Sequence, residues 1–518
     1  MNNLLPHLSA RQPSAAEYLR RILLAPVYDV AVKSDLTPMR KLSERLGCEV
    51  LLKREDQQPV HSFKIRGAYN KIAGLNADQQ AKGVVAASAG NHAQGVALSG
   101  QKLGIKATIV MPNNTPDIKI DSVRRLGGNV VIHGNSFDEA SAESRRLAET
   151  EGYTLAAPFD DPDVIAGQGT IGVELLQQAR DMDYVFLPVG GGGLAAGVAL
   201  YLKSLKPSIK VIGVEAEDSA CLLAALEAGE RVNLDQVGLF ADGVAVKLIG
   251  EETFRVCAAF IDEVITVSTD EICAAIKDIF DDTRAVSEPA GALALAGLKK
   301  FQARYKLQGK KLTTVLSGAN VNFHSLRYVS ERTELGEGRE GVLAVTIPEQ
   351  KGSFRRFCEL LGGHGITEFN YRFADPAKAH IYVGVRLAEK ADMANLLATL
   401  GDSGYEVHDL TDNELAKLHV RYMVGGRPSQ PLIERLYGFE FPESQGALMR
   451  FLNRLGERWN ITLFHYRNHG AAYGRVLAGF NVSDQEKAEF EASLNDVGYE
   501  WRDETSNPVY DYFLAHRD

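Results

Sequence analysis

Between Cys48 and Asn320 the chain alternates short, continuously apolar runs with stretches of helical period. Glu49-Val50-Leu51-Leu52, Val84-Val85-Ala86-Ala87 and Ala107-Thr108-Ile109-Val110-Met111 come first, followed by 130–132, 184–189, 211–214 and 313–316. A strand that is apolar at successive positions is buried on both faces. The pattern therefore predicts an α/β fold with open, mostly parallel, twisted sheets covered by helices. In such sheets the functional loops lie at the carboxyl ends of the strands. Helices are expected at 14–24, 137–150 and 290–300. Another opens at Ser62-Phe63-Lys64, with Phe63, Ala68, Tyr69 and Ile72 on one buried face and Ser62 as its N-cap.

At 331–339 the texture turns charged and glycine-bearing, and beyond it the chain repeats itself. Ile347-Pro348-Glu349 recurs as Phe441-Pro442-Glu443. Gly352, Phe357, Leu361 and Gly362 recur 94 positions on as Gly446, Phe451, Leu455 and Gly456. After one inserted residue, Phe369-Asn370-Tyr371-Arg372 returns as Phe464-His465-Tyr466-Arg467. Each copy reads strand, helix, strand, strand, helix, strand, which suits a small α+β sandwich. The expected organisation is an α/β domain at 1–330, a linker at 331–340, a first repeat at 341–413, a connector at 414–434 and a second repeat at 435–518. A duplicated module of this kind serves either as a ligand-binding regulator or as an oligomerisation device.

Charge and composition narrow the function. The net charge of −10 is spread along 518 residues with no basic block, which argues against nucleic acid as a partner. No apolar run approaches the roughly 20 residues of a membrane span. The N-terminal stretch lacks the apolar core of a signal peptide. The five cysteines are scattered, odd in number and without metal-ligand spacing, so a reduced, cytoplasmic setting and no metal site are expected.

Several stretches carry candidate chemistry. Lys64 falls in the first turn of its helix, where the helix dipole disfavours a cation. It is either a solvated lysine or an amine of depressed pKa, able to form an imine with a carbonyl cofactor. Gly190-Gly191-Gly192-Gly193-Leu194 follows a strand and opens a helix; its N–H groups suit an anion, so a phosphate cradle is the natural reading. The same loop, as Gly191-x-Gly193-x-x-Ala196 with Glu215 at the end of the next strand, also satisfies a relaxed dinucleotide fingerprint. Ser88-Ala89-Gly90-Asn91-His92 is a further strand-to-helix junction. It can hold a carboxylate, with Asn91 donating to a phenolate-type oxygen and His92 open to a general-base reading. Ser317 ends another strand and can face a ring nitrogen or cap a turn. Glu288 precedes Pro289 at a helix start, where the dipole accounts for it.

Together these motifs resemble the pyridoxal-phosphate enzymes of the tryptophan-synthase-β fold type, and within them the threonine/serine dehydratases. The likeness rests on Ser62-Phe63-Lys64-Ile65-Arg66-Gly67-Ala68, the Ser88–His92 stretch and the tetraglycine, and covers about residues 20–325. The duplicated tail resembles the paired ACT-like regulatory domains of the biosynthetic threonine dehydratases. The resemblance implies pyridoxal 5'-phosphate as cofactor, with Lys64 holding it as a Schiff base and later acting as the base. Phe63 is implied to pack beside the pyridine ring, Asn91 to bond the 3' oxygen, Gly190, Gly191, Gly192, Gly193 and Leu194 to cradle the phosphate, and Ser317 to face the ring nitrogen. Ser88, Ala89, Gly90, Asn91 and His92 are implied to receive the substrate carboxylate. The implied reaction is deamination of L-threonine, or of serine as well, to the 2-oxo acid and ammonia. For threonine this is the committed step of isoleucine biosynthesis, with isoleucine as feedback inhibitor and valine as opposing effector of a homotetramer. Tyr371, Tyr466 and Leu448 are the candidate effector-binding residues, with further apolar wall from Phe354, Phe357, Phe451 and Leu452. A nicotinamide-dependent oxidoreductase, built on the glycine loop and Glu215, and a non-catalytic amino-acid sensor, built on the repeat, remain as alternatives.

Overall fold

The computed structural model describes residues 13–516 apart from 324, 363, 390, 429, 443–445, 457 and 468–472. The chain divides into two compact units, Met1–Gly336 and Glu337–Asp518.

The first unit contains two sheets. The larger runs in the order Leu36–Pro38, Glu49–Arg54, Lys311–Leu316, Tyr184–Pro188, Lys210–Ala216, Glu263–Val267, parallel throughout except for the first, antiparallel edge strand. The smaller, Asn129–Ile132, Ala107–Met111, Val84–Ala87, Thr154–Leu155, is entirely parallel. Val84–Ala87 and Ala107–Met111 are buried at every position, as continuous apolar runs require. The expected helices form at Ala15–Leu24, Phe137–Glu151 and Pro289–Tyr305. Ser14 caps the first of these and Ser136 the second, each accepting an N–H from the residue three on.

The helix carrying Lys64 spans Lys64–Ala73 and differs at its start from the expectation. Phe63, not Ser62, is its capping residue, and the Ser62 hydroxyl reaches only the Lys64 N–H, at 3.4 Å. Ser62 is occupied instead by pairing with the end of a neighbouring strand. It bridges Gly318, while Phe63 N–H donates to Ser317 and Ala319 N–H to His61.

Four charged side chains fix this helix from below. Arg66 donates to Glu55 at 2.8 Å and to Glu174 at 2.7 Å, and Lys53 donates to Glu174 at 2.5 Å; all four side chains are fully buried. Two cations and two anions cancel, which is what allows the cluster to be buried. It ties Lys64–Ala73 to the helix Pro162–Gln178 and to the strand Glu49–Arg54.

The second unit is the duplicated module. Each copy folds as strand, helix, strand, strand, helix, strand, and the two share one eight-stranded sheet. The repeated motif lies where the copies meet, because strand Ile366–Arg372 pairs antiparallel with Asn460–Arg467. Phe369 faces Tyr466, Asn370 faces His465 and Tyr371 faces Phe464, so the motif pairs with its own copy across a pseudo-twofold axis. The stretch 331–340 is helical to Gly336 and enters a strand at Glu340.

Glu174→Ala leaves two buried cations facing one anion and should destabilise the chain by about 3–5 kcal/mol. Exposed Glu149→Ala should stay within about 0.5 kcal/mol. Urea unfolding of the full-length protein checks both, and equal midpoints for the two variants would show the cluster to be energetically idle.

Candidate active site

Strand ends converge to build the site. Glu49–Arg54 leads to Lys64, Val84–Ala87 to the Ser88–His92 junction, Tyr184–Pro188 to the tetraglycine, and Lys311–Leu316 to Ser317 and Asn320. Three of these strands run parallel in the larger sheet and Val84–Ala87 runs parallel to its neighbours in the smaller, and each junction lies at a strand's carboxyl end.

Lys64 donates from Nζ to the Pro158 carbonyl at 2.8 Å, and its ammonium lies 5.3 Å from the Phe63 ring centroid. It keeps some accessible surface but sits in a poorly solvated site. Desolvation lowers its pKa to about 8, against the opposing pull of the Glu288 carboxylate. This is the depressed amine that the reactive reading of Lys64 requires.

Glu288 overturns its sequence reading. It occupies the capping position of Pro289–Tyr305 but makes no side-chain cap, so the helix dipole does not explain it. Its buried carboxylate turns inward and accepts from Asn91 Nδ2 at 2.6 Å. Burial raises its pKa to about 7, with the Asn91 hydrogen bond acting the other way. Asn91 Oδ1 in turn accepts from Asn320 Nδ2 at 2.7 Å. No spacing rule could have joined Asn91 to Glu288, which lie 197 residues apart.

His92 is buried and fixed in one tautomer by its surroundings. Nε2 donates to the Ala156 carbonyl at 2.8 Å, and Nδ1 is left without a partner. Desolvation first, and the nearby Lys64 second, lower its pKa to about 3. A base that weak does not serve general-base chemistry near neutrality, so that reading is withdrawn. Ser317 is buried and donates to the Ala290 carbonyl at 3.2 Å. Ser88, Ala89 and Gly90 stay partly exposed at the mouth of the junction.

The tetraglycine is held from behind. Cys221 Sγ donates to the Gly190 carbonyl at 3.4 Å, Thr253 Oγ1 to that of Gly191 at 2.7 Å, and Cys257 Sγ lies 3.8 Å from that of Gly192. In a trans peptide the C=O and the following N–H point in opposite directions. The N–H groups of Gly191, Gly192 and Gly193 therefore face away from these donors. They join the open first turn of the helix Gly193–Leu205, which Leu194 continues. Glycine is obligatory here: Gly192 has φ +89°, and a Cβ on Gly191 would overlap the Phe159 ring. Outward N–H groups of successive glycines, close-packed behind by Phe159 and Thr253 and joined to an open helix start, fit a phosphate dianion.

The segment 156–161 gave no sequence signal beyond Asp161-Pro162, a capping aspartate before a first-turn proline. It nevertheless touches His92, the Lys64 amine and the tetraglycine. Asp160 accepts the N–H groups of Glu251, Glu252 and Thr253. Asp161 caps Pro162–Gln178 and pairs with Lys71 at 2.7 Å.

Glu215 does not face a nucleotide. Its buried carboxylate accepts the N–H groups of Leu222 and Leu223, each at 2.8 Å, and so caps the helix Cys221–Ala228. That removes the ribose contact the nicotinamide reading needs. Among the described residues no group of three or more His, Cys, Asp or Glu could hold a metal ion, and no helix is long and apolar enough to cross a membrane. All five cysteines are free and buried.

The repeats enclose two clefts related by their pseudosymmetry. The larger, about 430 Å³, includes Leu448 and Tyr466 of the second copy with His364, Arg386 and Asp392 of the first. The smaller, about 40 Å³, includes Tyr371 and Phe354 of the first copy with Leu452 and Trp459 of the second. Tyr371 is engaged there, its hydroxyl 2.9 Å from the Glu349 carboxylate and 3.2 Å from the Ile461 carbonyl. Phe357 and Phe451 are plain core.

A family model described as pyridoxal-phosphate dependent enzyme matches residues 29–318, and one described as the C-terminal regulatory domain of threonine dehydratase matches 331–420 and 425–514. The biosynthetic L-threonine dehydratase of Escherichia coli is 63% identical over 504 residues, spanning 97% of this chain and 98% of that protein. The chain belongs to the threonine dehydratase family of pyridoxal-phosphate dependent enzymes. Another relative, the mitochondrial threonine dehydratase of Saccharomyces cerevisiae, is 50% identical over 516 residues, covering 96% of this chain and 89% of that protein. Among solved structures, the processed form of threonine deaminase isoform 2 from Solanum lycopersicum superposes with a TM-score of 0.61 at 48% identity, covering 63% of this chain and 99% of that one. As a member of this family the chain is an enzyme that uses pyridoxal phosphate.

The His92 environment has a measurable consequence. Between about pH 6.5 and about pH 3 the unfolded chain binds a proton at this position that the folded chain refuses, so stability falls as pH drops through that window. His92→Gln should reduce proton uptake on unfolding there by about one. Urea unfolding of the full-length protein at a series of pH values measures the slope, and an unchanged slope would contradict a buried neutral imidazole.

Proposed function

We propose that this chain converts L-threonine to 2-oxobutyrate and ammonia at the Lys64 site, with the duplicated module as its amino-acid sensor. The observation that carries the reading is the Lys64 amine, held near pKa 8 beside the Glu288–Asn91 pair and bridged through Pro158 and Phe159 to the tetraglycine. Lys64 would hold pyridoxal phosphate in the resting enzyme, and the chemistry the cofactor would supply, once joined to the substrate's amine, is an electron sink that makes the Cα–H acidic.

The remaining steps belong to the protein. The N–H groups of Gly191, Gly192 and Gly193 hold the phosphate, with Gly190 and Leu194 flanking them. The amide nitrogen of Asn91 carries two hydrogens; one goes to Glu288 and the other is available to the cofactor's 3' oxygen. Phe63 would pack beside the ring, and the Ser317 hydroxyl, which donates to Ala290, would offer the ring nitrogen a neutral partner and no charge. The junction Ser88, Ala89, Gly90, Asn91 and His92 receives the substrate carboxylate at the start of the helix Asn91–Leu103. With its amine free, Lys64 would be the group placed to take the Cα proton. An amine near pKa 8 is about one-tenth unprotonated at pH 7, far more than an ordinary lysine, and suits that task. Loss of the Cα proton and the β-hydroxyl removes one water; the freed enamine hydrolyses to the 2-oxo acid and ammonia, so no oxidant or reductant enters.

Isoleucine is assigned to the larger cleft of the repeat. Leu448 and Tyr466 offer an apolar wall, and Arg386 and Asp392 offer opposite charges for the ends of a free amino acid. The smaller cleft, holding Tyr371, has room for about one water and must open before it takes any ligand. Valine opposes isoleucine by favouring the other state of a homotetramer, the assembly that the family resemblance implies.

Lys64→Ala should fold yet lose the violet absorbance of bound cofactor, with turnover of threonine down about a thousandfold or more. Near-normal deamination by this variant would overturn the assignment. Tyr466→Ala should raise the isoleucine concentration for half-inhibition about tenfold or more. Its turnover at saturating threonine should stay within about threefold. Threonine saturation curves at several isoleucine concentrations measure both, and an unaltered isoleucine response would place the effector elsewhere.

A further inference from the structure

We infer that Thr253 is a positioning residue of the phosphate cradle: its hydroxyl fixes the Gly191–Gly192 peptide so that the Gly192 N–H faces the cofactor's phosphate. The inference rests on the proposed role of the tetraglycine and deepens it.

Thr253 lies in the first turn of the helix Glu251–Phe260, fully buried. A threonine in a helix commonly returns its hydroxyl to a carbonyl one turn earlier, as Thr283 does to Ile279 and Thr399 to Asn395. Thr253 instead leaves its own helix and donates to Gly191, 62 residues away, at 2.7 Å. The residue is itself held in place, since its N–H donates to Asp160 Oδ1 at 3.2 Å.

The peptide it holds has no other restraint of comparable strength. Both of its residues are glycine, and Gly192 sits at φ +89°, so no side chain opposes rotation of the peptide plane. Of the flanking carbonyls, that of Gly190 faces only a thiol, a weaker donor, at 3.4 Å, while that of Gly192, with a thiol at 3.8 Å, accepts the Ala196 N–H at 2.8 Å and so restrains the next peptide rather than this one. Burial raises the pKa of both thiols, so they stay protonated. Without the Thr253 hydroxyl, the buried Gly191 carbonyl has no donor. Turning the peptide over relieves it, but that directs a carbonyl oxygen at the phosphate and withdraws an N–H. A dianion meets repulsion where it had a hydrogen bond.

The full-length protein is stripped of cofactor, and equilibrium dialysis measures its affinity for pyridoxal phosphate and, in parallel, for pyridoxal, which lacks the phosphate. Thr253→Val keeps the side-chain shape and removes the donor. It should weaken pyridoxal phosphate about tenfold or more and leave pyridoxal within about twofold. Thr253→Ser restores the donor and should return pyridoxal phosphate to within about threefold of the parent. Thr253→Ala is a second donor-free variant with the same expected ordering, for use if the valine variant does not fold. Parent-like affinity in both donor-free variants overturns the inference, as does an equal loss for pyridoxal and pyridoxal phosphate. Gly192→Asp in the same dialysis tests the underlying reading: it should abolish phosphate-dependent affinity. If it does not, the phosphate is held elsewhere and the cradle itself is refuted, however Thr253 behaves.

Discussion

Six consecutive residues, 156–161, hold the catalytic parts of the first unit in register. The Ala156 carbonyl fixes the His92 ring, and the Pro158 carbonyl receives the Lys64 amine. Phe159 fills the space that glycine leaves at position 191. Asp160 anchors the helix that carries Thr253, and Asp161 caps the helix whose Glu174 neutralises Arg66 and Lys53. Partners far apart in sequence thus meet on one short stretch. A shift of this segment would move the reactive amine, the imidazole and the phosphate cradle together.

The electrostatics follow from that packing. Desolvation acts in opposite senses on a lysine and a carboxylate, lowering Lys64 toward 8 and raising Glu288 toward 7. Both are thereby drawn toward the neutral range, where the amine can accept a proton. The deep charges of Arg66, Glu55, Glu174 and Lys53 are mutually compensated and take no part in this balance. The second unit is arranged on a different principle, symmetry. Pairing a strand with its own copy makes two equivalent clefts, and sequence divergence then leaves one roomy and charged at its rim and the other nearly filled.

The sequence was most legible where local rules govern. Continuous apolar runs gave the parallel strands, helical period gave the helices that open at Ala15 and Phe137, and the repeat gave the order of elements in both copies. Lys64 and the glycine loop stood out because a first-turn cation and four successive glycines each need a reason. What failed was non-local. Glu288 read as a dipole effect because its partner Asn91 is remote in sequence, and Glu215 read as a ribose ligand because nothing local showed that it caps the helix starting at Cys221. Ser62 lost its capping role to a pairing with Gly318 that only the closed sheet creates. Thr253 and the segment 156–161 carry no motif; their importance arises from which carbonyls and amides they meet.

The central claim is that Lys64 is the covalent anchor of the cofactor. Borohydride reduction of the full-length holoprotein locks the imine as a stable secondary amine, and peptide mapping by mass spectrometry then finds the lysine that bears it. The account predicts loss of the violet absorbance and the pyridoxyl mass on the peptide containing Lys64. The same mass on any other lysine, or no modified lysine despite bound cofactor, would contradict it.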